Sequence, residues 1–222
     1  MLKIPPIIKT ALGIASIFVI GLLFKEVLKL TDNKNNFEKS AGALIKGVAA
    51  MEKADYNDAT IQFQKAIKYD TTNIEAYNNL GRSFYLLKDY EKAIESLTSN
   101  HNNAITFLYR GDAHFSAENY SIAFIDYTES LKIQPTPEAF CAMANVFIKM
   151  NNTTEGIRNY SKAIELDSVN ALYYNHRGNA HNLLGNYNDA IKDFGKAIEL
   201  SPDNLVYKQS LEFALRLETT AD

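Results

Sequence analysis

The sequence predicts an all-α protein built from repeated pairs of helices. Three observations carry this prediction: small residues recur every 30 to 34 positions, apolar residues between them recur at helical spacing, and a turn separates the two helices of each unit. Periods of this length are typical of solenoids, in which each helix pair stacks on the next. The first thirty residues differ in composition and predict a single transmembrane helix ahead of the repeats.

The composition excludes several classes of protein. The 222-residue chain has 46% hydrophobic and 22% charged residues, which is ordinary for a folded domain, and its net charge is −3. That charge argues against nucleic-acid binding by neutralisation of phosphates. A single cysteine, Cys141, excludes an intramolecular disulfide and a cysteine-based zinc site. Because phosphate loops and nucleophile motifs are also missing, we predict no cofactor, no metal and no enzymatic activity.

The first predicted element is a membrane anchor over residues 1–30. Residues 10–24 carry no charge and are nearly all apolar, and residues 7–28 together reach the roughly 20 residues that a bilayer crossing needs. Lys9 and Lys25 would then extend to the two interfaces. A cleaved signal or organelle presequence is an alternative, although no small-residue cleavage site follows the apolar stretch. A peripheral amphipathic helix is a third possibility.

A polar segment connects this anchor to the repeats. Residues 31–39 are rich in asparagine and predict a short linker. The lysines before and after the apolar stretch are nearly equal in number, so the positive-inside rule leaves the orientation open. We therefore predict a single-pass membrane protein, in a membrane and an orientation that the sequence does not identify.

The repeats are marked by a small residue in the first helix of each unit. These residues lie 34, 30, 33 and 34 positions apart: Gly47, Gly81, Gly111, Ala144 and Gly178. Twelve positions after each lies a second small residue, in the second helix: Ala59, Ala93, Ala123, Gly156 and Ala190. Small side chains at a crossing allow two helices to approach closely. We predict units at 40–73, 74–103, 104–136, 137–170 and 171–204.

The last unit shows the pattern within a repeat. Tyr174, Gly178 and His181 share one helical face, a turn follows at 184–186, and a second apolar helix ends before Pro202. Residues 205–217 are amphipathic and predict the capping helix that the end of a solenoid requires. We expect His181, and His114 at the same position two units earlier, to pack in the core.

This pattern resembles the tetratricopeptide repeat family. The resemblance rests on the small residues above, on tyrosines at 56, 90, 120 and 187, and on prolines at 135 and 202. Two units depart from it. The second is four residues short and has Asn100 where alanine is expected, so we expect a shortened or bent helix near 96–103. The fourth has Thr153 in place of the tyrosine and Gly156 in place of the alanine, so we expect looser packing there.

The resemblance implies a right-handed superhelix whose first helices line a concave groove for peptides or partner helices. Read in register, the groove positions of the first unit are apolar, and those of later units are polar or aromatic. Asn145 and Asn179 hold the same position in consecutive units, where they form a ladder for a peptide backbone or are simply hydrated. The predicted partner-binding residues are Asn78, Asn79, Arg82, Tyr85, Tyr109, Asp112, Asn145, Asn175, His176 and Asn179.

One activity of the family does not fit these residues. Members that bind heat-shock chaperones hold a C-terminal carboxylate with lysine, asparagine and arginine side chains. Here those positions hold Leu44, Val48, Asn79, Ile105 and Tyr109, and only the asparagine remains. Without cations there is no charge-assisted clamp.

Two functions are consistent with the sequence. The first is a membrane-anchored interaction scaffold that docks a partner protein or belongs to a membrane complex. The second is a receptor or co-chaperone that captures client peptides, as some N-terminally anchored import receptors of the family do. Either function predicts a protein or peptide partner in the groove.

Overall fold

The computed structural model describes the backbone of residues 6–98 and 103–221, and the side chains in these ranges except those of 6–24, 27, 28 and 221. Over these ranges the chain forms eleven α-helices and no strand, which confirms the predicted all-α repeat fold. The helices are α1 (Pro6–Glu52), α2 (Tyr56–Tyr69), α3 (Ile74–Leu86), α4 (Tyr90–Thr98), α5 (Ala104–Ser116), α6 (Tyr120–Ile133), α7 (Pro137–Lys149), α8 (Thr153–Leu166), α9 (Ala171–Leu183), α10 (Tyr187–Leu200) and α11 (Leu205–Ala221).

Helix α1 is continuous from the N-terminal segment into the first repeat. Residues 31–39, which the sequence predicts to be a linker, are helical and exposed. Neither glycine nor proline occurs between residues 22 and 41, so nothing interrupts a helix that is already nucleated on both sides. The segment therefore joins the first repeat as a continuation of its first helix.

The predicted membrane span lies largely outside what the structure describes. Among the described residues, no helix is long and apolar enough to cross a membrane. Of residues 7–28, only the side chains of Lys25 and Glu26 are described. The anchor accordingly stays a prediction from the sequence.

The helices form two compact units, Met1–Asn79 and Leu80–Asp222, and the boundary falls within α3. In the first unit the ring of Phe63 lies against Gly47 and is fully buried. A Cβ atom at Gly47 would lie 2.4 Å from Phe63 Cε1, so this crossing requires glycine. Ser40 Oγ, on α1, donates a hydrogen bond to the carbonyl oxygen of Ala66 at 2.9 Å.

The second unit repeats the same packing. An added Cβ would lie 2.4 Å from Leu97 Cγ at Gly81, 2.6 Å from Tyr127 Cε1 at Gly111, and 2.8 Å from Phe194 Cε1 at Gly178. Leu97, Tyr127 and Phe194 are all buried. In each pair a large side chain of the second helix thus occupies the space that the glycine of the first helix leaves.

The described part of helix α4 has nine residues, Tyr90–Thr98, whereas α6, α8 and α10 have fourteen each. The predicted shortening or bend near 96–103 falls mostly on residues 99–102, which lie outside the described part of the chain. That feature stays a prediction from the sequence.

The fourth unit is tightly packed, and the prediction of looser packing is wrong. Gly156 brings α8 so close to α7 that an added Cβ would lie 2.7 Å from Ile148 Cδ1 and 3.3 Å from the carbonyl oxygen of Ala144. Tyr160 and Ala163 are buried in the same cluster. The space that an alanine side chain would need at position 156 is already occupied by α7, so the glycine leaves no void there.

Helix α11 covers the last helix pair. Ala214 is fully buried against Ala190 and Phe194, and Tyr207 packs against Ala171 and Ala197. Residues 205–217, the predicted capping helix, lie within α11, which continues to Ala221.

Candidate partner-binding groove

A groove of about 610 Å³ lies in the second unit, lined by residues of α3, α5 and α7 and of the end of α6. Apolar side chains, among them Leu86, Leu108 and Ala142, form much of its surface. The lining also includes charged and aromatic side chains. Four of the predicted partner-binding residues line the groove: Arg82, Tyr85, Tyr109 and Asp112.

The aromatic side of the groove is held by contacts within the second unit. The guanidinium of Arg82 lies 5.7 Å from the centroid of the Tyr109 ring, a cation–π distance. Ser116 Oγ donates a hydrogen bond to Tyr85 Oη at 3.3 Å, and the Tyr85 ring packs on Tyr90 with centroids 5.8 Å apart. These contacts set the orientation of both tyrosines before a partner binds.

Asp112 contributes a carboxylate to the floor of the groove. Tyr127 Oη, which comes from α6, donates a hydrogen bond to Asp112 Oδ1 at 2.7 Å. Burial raises the pKa of Asp112 to about 6, although the Tyr127 hydrogen bond and the charge of Arg82 act in the opposite direction. No ion pair among the described residues includes Asp112. Its carboxylate is therefore positioned, but it is not neutralised by a salt bridge.

Asn145 holds the corresponding position one repeat later. Tyr160 Oη donates a hydrogen bond to Asn145 Oδ1 at 2.5 Å. In the fifth unit Phe194 replaces the tyrosine and offers no hydroxyl, and Asn179 is exposed. The two asparagines of the predicted ladder are thus in different environments, because only the oxygen of Asn145 is engaged by its own repeat.

The remaining predicted residues lie elsewhere. His176 stacks on Tyr160 with centroids 5.7 Å apart, and burial lowers its pKa. Asn175 is only 6% exposed, so its side chain offers almost no surface to a partner. Asn78 and Asn79 belong to the first unit, where Asn78 is 8% exposed.

Two buried ion pairs are features that sequence reasoning did not identify. Arg110 Nε and Nη2 donate to Asp126 Oδ2 at 2.9 Å and Oδ1 at 2.5 Å. Arg177 makes the same bidentate pair with Asp193 at 2.8 and 2.7 Å. Each pair joins the two helices of one unit. The signal was an arginine directly before the repeat glycine and an aspartate sixteen positions later, in both units.

The other titratable groups that the sequence singles out are packed in the interior. The Nδ1 atoms of His114 and His181 are buried and have no hydrogen-bond partner among the described residues, and burial lowers the pKa of both. Burial raises the pKa of the Cys141 thiol to about 12, which leaves it protonated and unreactive at neutral pH. These side chains fill space between helices, and none of them lines the groove.

Sequence comparisons place known repeats on three parts of the chain. Family models described as tetratricopeptide repeat match residues 62–95 and 171–204, and one described as TPR repeat matches residues 144–185. A curated relative, heat shock protein STI1 of Saccharomyces cerevisiae, is 29% identical over 102 residues. That match covers 43% of this chain and 17% of the relative, so the chain corresponds to a small part of that protein.

Solved structures share the fold at low identity. A thermophilic TPR protein of Thermus thermophilus is 16% identical, with a TM-score of 0.67 over 79% of this chain and 98% of its own. The pilF protein of Pseudomonas aeruginosa is also 16% identical, with a TM-score of 0.72 over 84% and 86%. YrrB, described as a TPR protein with an unusual peptide-binding site, is 16% identical, with a TM-score of 0.61 over 81% and 95%. The repeat matches show tetratricopeptide repeats at residues 62–95 and 144–204, and the solved structures share the fold of helix pairs that this chain adopts.

Proposed function

We propose that this chain is a membrane-tethered scaffold for protein–protein interaction, and that the groove of its second unit docks a segment of the partner. The groove carries the proposal. It combines an apolar surface with two positioned tyrosines and with charged groups of both signs. Aromatic and arginine side chains in a concave apolar site are the groups that contribute most to binding of protein segments.

The comparisons support this kind of function. Tetratricopeptide repeat proteins generally act as non-enzymatic interaction scaffolds, and one structural neighbour is described as having a peptide-binding site. For this chain the bound segment would lie along α5, because the residues of that helix that line the groove extend from Ala104 to Asp112. Whether the segment is helical or extended is a property of the partner.

The membrane tether rests on the apolar residues 7–28 of the sequence. A helical segment 31–39 between the tether and the repeats would hold the repeats at a fixed distance. Nine helical residues span about 14 Å, at 1.5 Å for each residue. A scaffold of this design would present its groove to partners near the membrane surface, and it could serve as a subunit of a membrane complex.

The second candidate is a receptor or co-chaperone that binds client peptides transiently. The match to heat shock protein STI1 favours it, although that match covers only 17% of the relative. Chaperone docking through a carboxylate clamp is not part of this candidate, since the clamp positions hold residues such as Leu44, Val48 and Ile105. A scaffold should co-purify with its partner at fixed stoichiometry, whereas a receptor should exchange its peptides rapidly.

Site-specific photo-crosslinking in native membranes tests the proposal. A benzophenone amino acid replaces Tyr109 in the groove or, as the control, Ile125, which is 56% exposed on α6 and does not line the groove. We expect a crosslinked partner of defined mass from position 109 and none, or a different one, from position 125. The same partner from both positions, or no product from position 109, would contradict docking in the groove.

A further inference from the structure

The charge of Asp112 is not required by the hydrogen bond that Asp112 makes. Tyr127 donates to Asp112 Oδ1 at 2.7 Å, and in the next repeat Tyr160 donates to Asn145 Oδ1 at 2.5 Å. The donors and the helix positions correspond in the two repeats, and Asn145 accepts the tyrosine hydrogen bond with a neutral amide. An asparagine at position 112 would therefore satisfy Tyr127 equally well.

The charge is also unfavourable for the fold. Burial raises the pKa of Asp112 to about 6, which means that the ionised carboxylate is less stable here than in water. Tyr127 and Arg82 reduce this effect without cancelling it. The Asp112 carboxylate has no ion-pair partner among the described residues, so it is a charge that is only partly compensated in the lining of a largely apolar groove.

Two further charged side chains line the groove, Glu138 and Arg82. Glu138, in the first turn of α7, lines the same groove and adds a second carboxylate. Arg82 is the one cation of the lining residues, and it is stacked on the Tyr109 ring. Two carboxylates against one guanidinium give the lining a net negative charge, with Arg82 on α3 and the carboxylates on α5 and α7.

We propose that the groove binds a partner segment carrying a lysine or arginine between apolar residues, and that this cation pairs with Asp112. The inference rests on the proposed function and names the chemistry of the partner. The Tyr127 hydrogen bond fixes the carboxylate, so that its orientation is set before binding. Leu108 and Ala142 receive the apolar neighbours of the cation. Arg82 disfavours a second cation at the α3 side, which gives the bound segment a direction.

A peptide selection tests this inference even while the natural partner is unidentified. A random peptide library displayed on phage is selected against the immobilised full-length chain, in the wild type and in Asp112→Asn. The control is Asp189→Asn, which removes the same charge from the exposed surface of α10. We expect the wild type and the control to enrich lysine or arginine at one position flanked by apolar residues, and Asp112→Asn to lose this preference.

The affinity of one selected peptide then measures the pairing. Replacing its lysine by glutamine should weaken binding to the wild type by about ten- to hundred-fold, the usual effect of one charge-assisted hydrogen bond in a desolvated site. The same replacement should have little effect on binding to Asp112→Asn. Equal affinities of the two peptides for the wild type, or an equal loss in both proteins, would overturn the inference.

A groove variant separates failure of this inference from failure of the proposed function. Selected peptides that bind the wild type but not Tyr109→Ala, and that show no cationic preference, would overturn the pairing with Asp112 and leave docking in the groove intact. Peptides that bind Tyr109→Ala as well as the wild type, or a selection that yields no binding peptide, would contradict the proposed function and this inference with it. Circular dichroism of each variant establishes that it is folded.

Discussion

At the scale of one residue, Asp112 is the group that we propose pairs with the partner, and its ionised form reduces the stability of the fold. Its pKa of about 6 in the folded chain lies above the ordinary value of 3.8. The folded state therefore binds the proton more tightly than the unfolded state. The stability that this protonation contributes is present below pH 3.8 and is lost as the pH rises through about 6. Above that pH the side chain is ionised, and it lowers the free energy of unfolding by an amount that no longer changes with pH.

Asp112→Asn should remove this cost. We expect the free energy of unfolding to increase by about 1–3 kcal/mol at pH 8, and by less at pH 4.5, because the asparagine keeps the hydrogen bond from Tyr127 and carries no charge. Urea unfolding of wild type and variant at the two pH values measures the difference. A variant that is less stable than the wild type at pH 8 would show that the charge supports the fold.

Asp126 differs from Asp112 because its buried carboxylate has a charged partner, Arg110. Asp126 is 1% exposed, so Asp126→Ala leaves a guanidinium without its bidentate partner between α5 and α6. Breaking a buried pair in this way costs about 3–5 kcal/mol. Because the Arg110 side chain keeps 23% exposure and can be partly rehydrated, we expect a value near the lower end of that range. Chemical denaturation measures the free energy of unfolding of Asp126→Ala and, as the control, of Asp189→Ala. The control breaks an exposed ion pair and should change the free energy of unfolding by less than about 1 kcal/mol.

The sequence predicts part of the groove lining at this scale. The resemblance to tetratricopeptide repeats, read in register, implied that Arg82, Tyr109 and Asp112 face a groove, and all three line the groove of the second unit. It could not predict the burial of Asn175, since that depends on neighbouring side chains outside the repeat pattern. It also could not reveal that Tyr127 holds Asp112, because the contact joins two helices at a distance set by Gly111.

At the scale of the element, the crossing of two helices depends on its glycine. Gly111→Ala would place a Cβ 2.6 Å from Tyr127 Cε1, so the ring must shift in a packed core, and the Tyr127–Asp112 hydrogen bond must shift with it. We expect a loss of about 1–3 kcal/mol in the free energy of unfolding.

Gly195→Ala is the matched control for that change. Gly195 lies in the interior of α10 with nothing within 4 Å of an added Cβ. Alanine should stabilise the helix there by about 1 kcal/mol. Thermal unfolding of both variants measures the contrast, and two variants of equal stability would show that the close approach of helices does not govern packing.

Helix positions follow from sequence periodicity more closely than helix packing does. The order of the helix pairs was predictable because the small residues recur at 30 to 34 positions. The tight fourth unit was not, because the effect of Gly156 depends on how far α8 can move toward Ile148. The helical segment 31–39 was missed because polar, asparagine-rich composition is typical of linkers, while continuity with the helix on both sides decides the conformation.

At the scale of the whole molecule, the proposed function combines a binding groove with a membrane tether. Ile17→Asp together with Ile20→Asp tests the tether, since each charge at the centre of a membrane helix costs about 2.5–3.5 kcal/mol. We expect alkaline extraction of membranes to release this double variant and to leave the wild type in the pellet. Asn33→Asp with Asn36→Asp adds the same charge outside the predicted span and should not change the distribution. Release of the wild type itself would rule out an integral anchor.

The proposed function depends most on docking of a partner in the groove of the second unit. The dissociation constant of the crosslinked partner, once purified, tests it most directly when it is measured for the wild type, Tyr109→Ala and Ile125→Ala. We predict that Tyr109→Ala weakens binding by at least about tenfold, as expected for a buried aromatic contact, and that Ile125→Ala leaves the affinity unchanged. Unchanged affinity for Tyr109→Ala, or a loss confined to Ile125→Ala, would contradict the account.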